Sequence, residues 1–220
     1  MRLLVLLASL VIAILPACST SPNVGAGAPN AVVTAAQKTR DASSYAFDLS
    51  LSVDGSTFPS HGEYQAPDRI ETTSAGGLSG TVPTTTIVIG DTRYSSPPTS
   101  NGRWTQLTVP GAGMLDLVQV LDIASRATDV TRSGKGLYAF SAHTCSGAEV
   151  EGSARLSHDG YLSEVHATFT IDGHQTVMEQ SFSNFGAHVN IQPPDRSQVK
   201  SFGTITPSAT PGYLTITCVN

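Results

Sequence analysis

Polar and apolar residues alternate along most of the chain from residue 47 onward. In FDLSLSVDG, Phe47, Leu49, Leu51 and Val53 fall on one side and Asp48, Ser50, Ser52 and Asp54 on the other. That period of two predicts a half-buried strand ending at an Asp-Gly turn. GEYQAPDRIETTS predicts a second strand, bent at Pro67. TTTIVIGDTRYSS predicts a short strand, a Gly-Asp turn and a returning strand, and GRWTQLTVPG another strand opened by the Asn101-Gly102 turn. Short strands with frequent turns between them make an antiparallel meander. Strands resume at LYAFSAHT, at AEVEGSARLSHDGYLSEVHATFTIDG and at QTVMEQSFSNFG. Within the second of these, Val165, Ala167, Phe169 and Ile171 share one face, opposite His166, Thr168, Thr170 and Asp172. AHVNIQPP closes the set, and the Pro/Thr-rich tail over 203–220 reads as irregular.

Two stretches carry a helical period instead. NAVVTAAQKTRDASSY offers Asn30 as a cap and places Val32, Ala36 and Thr39 on one face, which predicts a helix over about 31–42. GMLDLVQVLDIASRATDV spaces Met114, Leu117, Val118, Leu121 and Ala124 as an apolar stripe, with Asp116, Gln119, Asp122 and Arg126 largely opposite. This predicts an amphipathic helix from about Met114 to Ala127, whose stripe packs on the sheet.

The N-terminus has a different character. Residues 3–15 are apolar almost throughout and follow Arg2. The run is short of the roughly 20 residues a membrane-crossing helix needs. A positive start, an apolar middle and a small residue before a cut are the layout of a signal peptide over 1–17. The run ends in Leu15-Pro16-Ala17-Cys18, which resembles the lipobox of bacterial lipoproteins. The resemblance implies that Cys18 receives a diacylglyceryl group and becomes the mature N-terminus. One acyl chain holds a protein only marginally, whereas two hold it firmly. The expectation is a protein anchored by lipid at the extracytoplasmic face of the cell membrane. STSPNVGAGAPN, broken by Pro22 and Pro29, then acts as a flexible tether over 18–29, ahead of one domain over 30–202.

Composition narrows the classes further. Cleavage after Ala17 leaves 203 residues, enough for a core, and removal of Arg2 takes the formal charge from −5 to −6. A mildly acidic chain with 12 Lys and Arg does not invite nucleic acid. There are three cysteines, Cys18, Cys145 and Cys218. With Cys18 acylated, the remaining two make one disulfide in an oxidising compartment, closing a loop of about 70 residues for roughly 4 kcal/mol. Two separate buried thiols are the alternative.

Chemistry-bearing patterns are absent. The six histidines, His61, His143, His158, His166, His174 and His188, show no metal-ligand spacing. His166 and His174 flank one hairpin and could approach each other, although solvation on an exposed face is the simpler reading. No nucleophile elbow, P-loop or dinucleotide-binding glycine motif occurs. Glu149 and Glu151 alternate on one side of a strand and face water. The expectation is a non-enzymatic protein with no cofactor and no metal.

GEYQAPDRIETT, IVIGDTRYSS, GRWTQL and FSNFGAHVNIQPP, in that order behind a lipobox, resemble the actinobacterial LppX/LprG-type lipoproteins of LolA-like fold. The resemblance covers roughly residues 30 to 200 and omits the stretch that holds Cys218. It implies an α+β fold: a curved antiparallel half-barrel of about eleven strands, with helices covering the concave face. It also implies acyl chains of lipids or lipoglycans carried in the cavity between. Physically, an apolar sheet face must be covered, and incomplete covering leaves an apolar cavity. Candidate lining residues are Phe47, Leu49, Leu51, Ile87, Ile89, Leu117, Leu121, Val165, Phe169 and Ile171; plain core packing explains each equally well. Two functions follow. One is a lipid carrier of the cell envelope with an acyl ligand and an envelope transporter as partner. The other is an envelope interaction or scaffold lipoprotein with no lipid ligand.

Overall fold

A computed structural model of the protein describes residues 30–75, 83–96, 100–108, 119–144 and 146–204. Helix α1 (Ala31–Arg40) precedes strands β1 (Ser44–Val53), β2 (Ser56–Gln65), β3 (Arg69–Ser74), β4 (Thr84–Ile89), β5 (Thr92–Ser96) and β6 (Trp104–Thr108). Helix α2 (Gln119–Ser125) follows, then β7 (Thr128–Gly134), β8 (Leu137–His143), β9 (Glu149–Leu156), β10 (Leu162–Ile171) and β11 (His174–Ser183). A 3-10 turn (Arg196–Gln198) leads into β12 (Val199–Thr204).

The twelve strands among the described residues form one curved sheet, ordered β12-β6-β5-β4-β3-β2-β1-β11-β10-β9-β8-β7. The terminal strands β12 and β7 do not pair with each other, so the sheet stays open. Two meanders meet where β1 pairs β11, at the centre. Asp54 and Gly55, and again Asp172 and Gly173, both have positive φ. This is the geometry of the tight two-residue hairpin turn, and Asp-Gly is the pair that adopts it most cheaply.

The architecture corrects the sequence expectation in three places. The sheet has twelve strands and is mixed, because β12 runs parallel to β6. GEYQAPDRIETTS is two strands, since Pro67 offers no N–H to a ladder and lies in the turn between β2 and β3. AHVNIQPP is not a strand. The predicted helix from about Met114 to Ala127 is described only over α2, because 109–118 lie outside the described residues, and β7 begins directly after it. Cys18, Cys145 and Cys218 also lie outside the described residues.

Residues 184–195 form a strap from β11 across the face of the sheet that carries Arg69. The Gly186 N–H donates to Ser44 O at 3.0 Å and Ser44 Oγ to Ala187 O at 2.6 Å. The Ile191 N–H donates to Gln65 Oε1 at 2.9 Å, and Arg69 Nη1 donates to Ile191 O at 2.7 Å. The strap thus carries the chain from the centre of the sheet to its far edge, and that crossing makes β12 parallel to its neighbour.

Helix α1 begins where Asn30 Oδ1 accepts from the Val32 and Val33 N–H groups. Its Val32, Ala35, Ala36 and Thr39 are buried at helical spacing. Thr39 Oγ1 accepts the Leu162 N–H at 2.9 Å, and Asn30 Nδ2 donates to Ala127 O at 2.6 Å. Arg40 pairs with Asp122 at 2.6 Å. These polar contacts fasten α1 to the start of β10 and to α2.

Candidate functional site

The pairing register places Tyr45, Phe47, Leu49, Leu51 and Val53 of β1 on one face, level with Phe182, Gln180, Met178 and Thr176 of β11. Val165, Ala167 and Phe169 of β10, and Val150 and Ala154 of β9, continue that face. Both helices pack there: α1 against β9 and β10, and α2 against β8 and β10. Val32, Ala36, Val120, Leu121 and Ile123 join the strand residues in one buried apolar cluster.

Among the described residues, the two helices pack on one side of this face only. On β2 to β5 the same face carries the buried Tyr64, Ile70 and Val88 at one end, with Arg93 in register beside Val88, and small hydroxyl side chains toward the other, with Ser60, Thr72, Ser74, Thr84, Thr86 and Ser95 in register. Several satisfy themselves locally: Thr72 Oγ1 donates to His61 O at 3.1 Å and Ser74 Oγ to Thr84 O at 3.4 Å. Between the two halves Leu51 faces Phe58 across the strands, and both are only half-buried. The face is therefore amphipathic, with an apolar part that bears the helices, a patch of hydroxyl side chains on β2 to β5 and a half-exposed apolar edge between them.

An aromatic group closes one end. The Tyr45 ring stacks on Tyr64 at 4.7 Å between centroids and meets Phe182 edge-on at 5.5 Å. Tyr161 stacks on Phe185 at 4.3 Å, beneath Lys38 Nζ at 4.5 Å from the Tyr161 ring centre. Burial pushes the Tyr45 hydroxyl far above its ordinary pKa. Burial also raises Tyr64, with Asp68 and Asp41 adding to the effect. Both phenols therefore stay neutral.

The opposite face is mostly polar over β1, β2 and β9 to β11. Three hollows of about 780, 380 and 480 Å³ lie along it, bordered by side chains such as Glu151, His166, Glu179, Asp48, His61 and Glu63. Their walls hold charged and hydroxyl groups with few apolar side chains, which suits water better than an acyl chain. His166 lies 3.9 Å from Glu179 on this face. His174 belongs by register to the other face, so the two histidines do not come together. Its Nδ1 lies instead 2.5 Å from Asp54 Oδ2 in the neighbouring hairpin turn, and the Gln175 N–H donates to Asp54 Oδ1 at 3.1 Å. That hydrogen bond, then the opposite charge, holds His174 above and Asp54 below its ordinary pKa. Among the described residues, no group of three or more His, Cys, Asp or Glu is placed to hold a metal ion. No helix among them is long and apolar enough to cross a membrane.

Of the candidate lining residues, Phe47, Leu49, Leu121, Val165 and Phe169 come together in the buried cluster, and Leu51 and Ile171 pack at its half-buried edge. Ile87 and Ile89 sit on the opposite face, because Ile87 pairs with Glu71 and Ile89 with Arg69. Leu117 lies outside the described residues. The sequence reading passed over Gln180. It occupies an inward position between Met178 and Phe182, is 2% exposed, and has no partner for its side-chain Oε1. A polar residue in phase with Thr176, Met178 and Phe182 was the available signal.

No family model and no curated protein matches the chain. Among solved structures it is similar to a DUF1329 family protein from Desulfovibrio piger, at 7% identity and a TM-score of 0.32, over 72% of this chain and 92% of the other. It is also similar to a structure from Vibrio parahaemolyticus described as an outer membrane lipoprotein-sorting protein domain. There the identity is 8% and the TM-score 0.33, over 73% of this chain and 94% of the other.

Proposed function

We propose that this chain is a non-enzymatic, lipid-anchored protein of the cell envelope that binds or carries acyl lipid on the helix-bearing face of its sheet. The observation that carries this reading is the half-exposed apolar edge of that face at Leu51 and Phe58. The helices α1 and α2 pack over β8 to β10, while Leu51 and Phe58 stay half-buried beside the hydroxyl side chains of β2 to β5. An acyl chain along the apolar part, with its head toward the hydroxyls, would match both chemistries. The lipobox-like Leu15-Pro16-Ala17-Cys18 supports anchoring at the extracytoplasmic face of the membrane, and the phrases that resemble LppX/LprG-type lipoproteins support the lipid ligand and an envelope transporter as partner. Mass spectrometry of the purified protein before and after organic extraction tests the reading, which expects stoichiometric lipid before extraction and none after. Protein that never carries lipid and never takes up added lipid would overturn it.

A specific observation favours a second reading, an interaction or scaffold lipoprotein without lipid. Phe47, Val165 and Phe169 are 0 to 3% exposed, so this part of the core is filled by the chain itself.

A further inference from the structure

Gln180 Oε1 is buried in the sheet face without a hydrogen-bond partner. Its register neighbours are Leu49 on β1 and Val165 on β10, with Met178 and Phe182 two residues away along β11. Four apolar side chains therefore surround a carbonyl oxygen that has lost water and gained no donor. Such a group costs free energy, whereas Met or Leu would fill the same space without that cost. A buried water is a poor substitute, because it requires two to four polar partners. Along the sheet itself, the nearest inward polar positions by register are Ser60, two strands away beyond Leu49, and Thr176, four residues along β11.

We infer that Gln180 is a specificity-determining residue whose Oε1 accepts a hydrogen bond from the hydroxyl of a neutral, singly hydroxylated amphiphile. This rests on the lipid-binding reading and refines its ligand. Neutrality follows from the surroundings. The inward positions of β1 and β10 beside Gln180 carry no Lys, Arg or His. An ionised head would be buried there with no counter-charge, at a cost of several kcal/mol. An alkyl chain lying over Leu49, Met178 and Val165 with its hydroxyl at Gln180 gives Oε1 the donor it lacks. The structure is closed over Gln180, so uptake requires the covering layer to part and the bond then forms on reclosure.

The test uses the full chain, stripped of lipid and exchanged into detergent-free buffer. A neutral apolar fluorophore reports displacement by 1-dodecanol and by its methyl ether, which has no donor. The wild type should prefer the alcohol by about tenfold, the effect of one buried hydrogen bond made or left unmade. Gln180→Met should bind both probes alike, with ether affinity unchanged and a higher melting temperature without ligand. Equal binding of alcohol and ether by the wild type would overturn the inference and leave the lipid reading standing. So would an alcohol preference that survives in Gln180→Met, or in Gln180→Leu should the methionine variant fold poorly. Binding of neither probe by the wild type would remove the lipid reading, and this inference with it.

Discussion

Phe47 lies directly across the ladder from Gly62, and its ring covers the glycine so closely that a Cβ there would lie 2.8 Å from Phe47 Cζ. Phe140 and Gly152 repeat the arrangement between β8 and β9. In both cases the missing side chain is the room the aromatic ring occupies. The two sites differ in what else is near. At Gly62 an added methyl also meets the backbone of Glu71 and Thr72, whereas at Gly152 its three nearest neighbours are all atoms of the Phe140 ring. Backbone held in a ladder yields less than a side chain. Gly62→Ala should therefore sit near the top of the roughly 1–3 kcal/mol range for overpacking and Gly152→Ala near its bottom. Urea unfolding of the two variants checks the order, and equal losses would contradict it.

Much of this core was legible in the chain. The faultless alternation from Phe47 to Asp54 fixed the inward face of β1, and Asp54-Gly55 fixed its turn. TTTIVI was not legible in the same way. Ile87, Val88 and Ile89 are consecutive apolar residues with no period, and only pairing of Ile87 with Glu71 decides which two face the strap. β12 left no signal either. Beyond Val199 its residues are exposed, so its strand form comes from the Trp104–Thr108 partner and not from burial. β7, TDVTRSG, has one half-buried residue, Val130, and reads as a polar loop. Gln180 was overlooked because an inward amide breaks the very pattern used to find inward positions.

The strap accounts for a second prediction. Ile191 is 1% exposed, and its carbonyl takes the Arg69 guanidinium. Ile191→Ala should cost about 2–5 kcal/mol through the cavity it leaves. Arg69→Met leaves that carbonyl without its donor and should cost about 1–3 kcal/mol. Hydrogen exchange localises the effect. Amides of β12 should exchange faster in Arg69→Met while those of β9 keep their protection, because the strap holds β12 and not β9.

The Asp54–His174 pair predicts a pH dependence. Asp54 is depressed in the folded state, so its contribution is present above the ordinary carboxylate value of 3.8 and is lost as pH falls through the depressed one. His174 is raised, so its contribution is complete below the ordinary imidazole value of 6.5 and is lost as pH rises through the raised one. The pair thus stabilises most between about 3.8 and 6.5. Both groups are exposed, so added salt should weaken the effect. His174→Gln should flatten the melting-temperature profile above pH 6 relative to wild type. An unchanged profile would show that the contact contributes nothing in solution.

The N-terminal motif and the cysteine count give a fourth prediction. Cys18→Ala should leave the protein uncleaved or shed into the soluble fraction. Partition into detergent like wild type would contradict anchoring through Cys18. With Cys18 acylated, Cys145 and Cys218 are the two remaining cysteines. Non-reducing peptide mapping of exported protein should recover them as one linked pair, and two freely alkylating thiols would contradict that.

The last prediction separates the two functional readings by adding volume at two points of one face. Val165 is fully buried and lies in register between Ala154 and Gln180. Val165→Phe has no room and should cost about 1–3 kcal/mol whichever reading holds. Leu51 is different, being half-buried at the edge beside Phe58. Leu51→Trp can lean over that edge at little cost in stability. If acyl chains lie along the edge, the indole takes their place, and co-purifying lipid should fall severalfold while the melting temperature barely moves. Under the scaffold reading the same variant also folds, but no lipid is present to lose. Lipid carried by wild type and retained in full by Leu51→Trp would move the acyl chain away from this edge. The comparison decides because Val165→Phe calibrates what overpacking alone does to the same sheet.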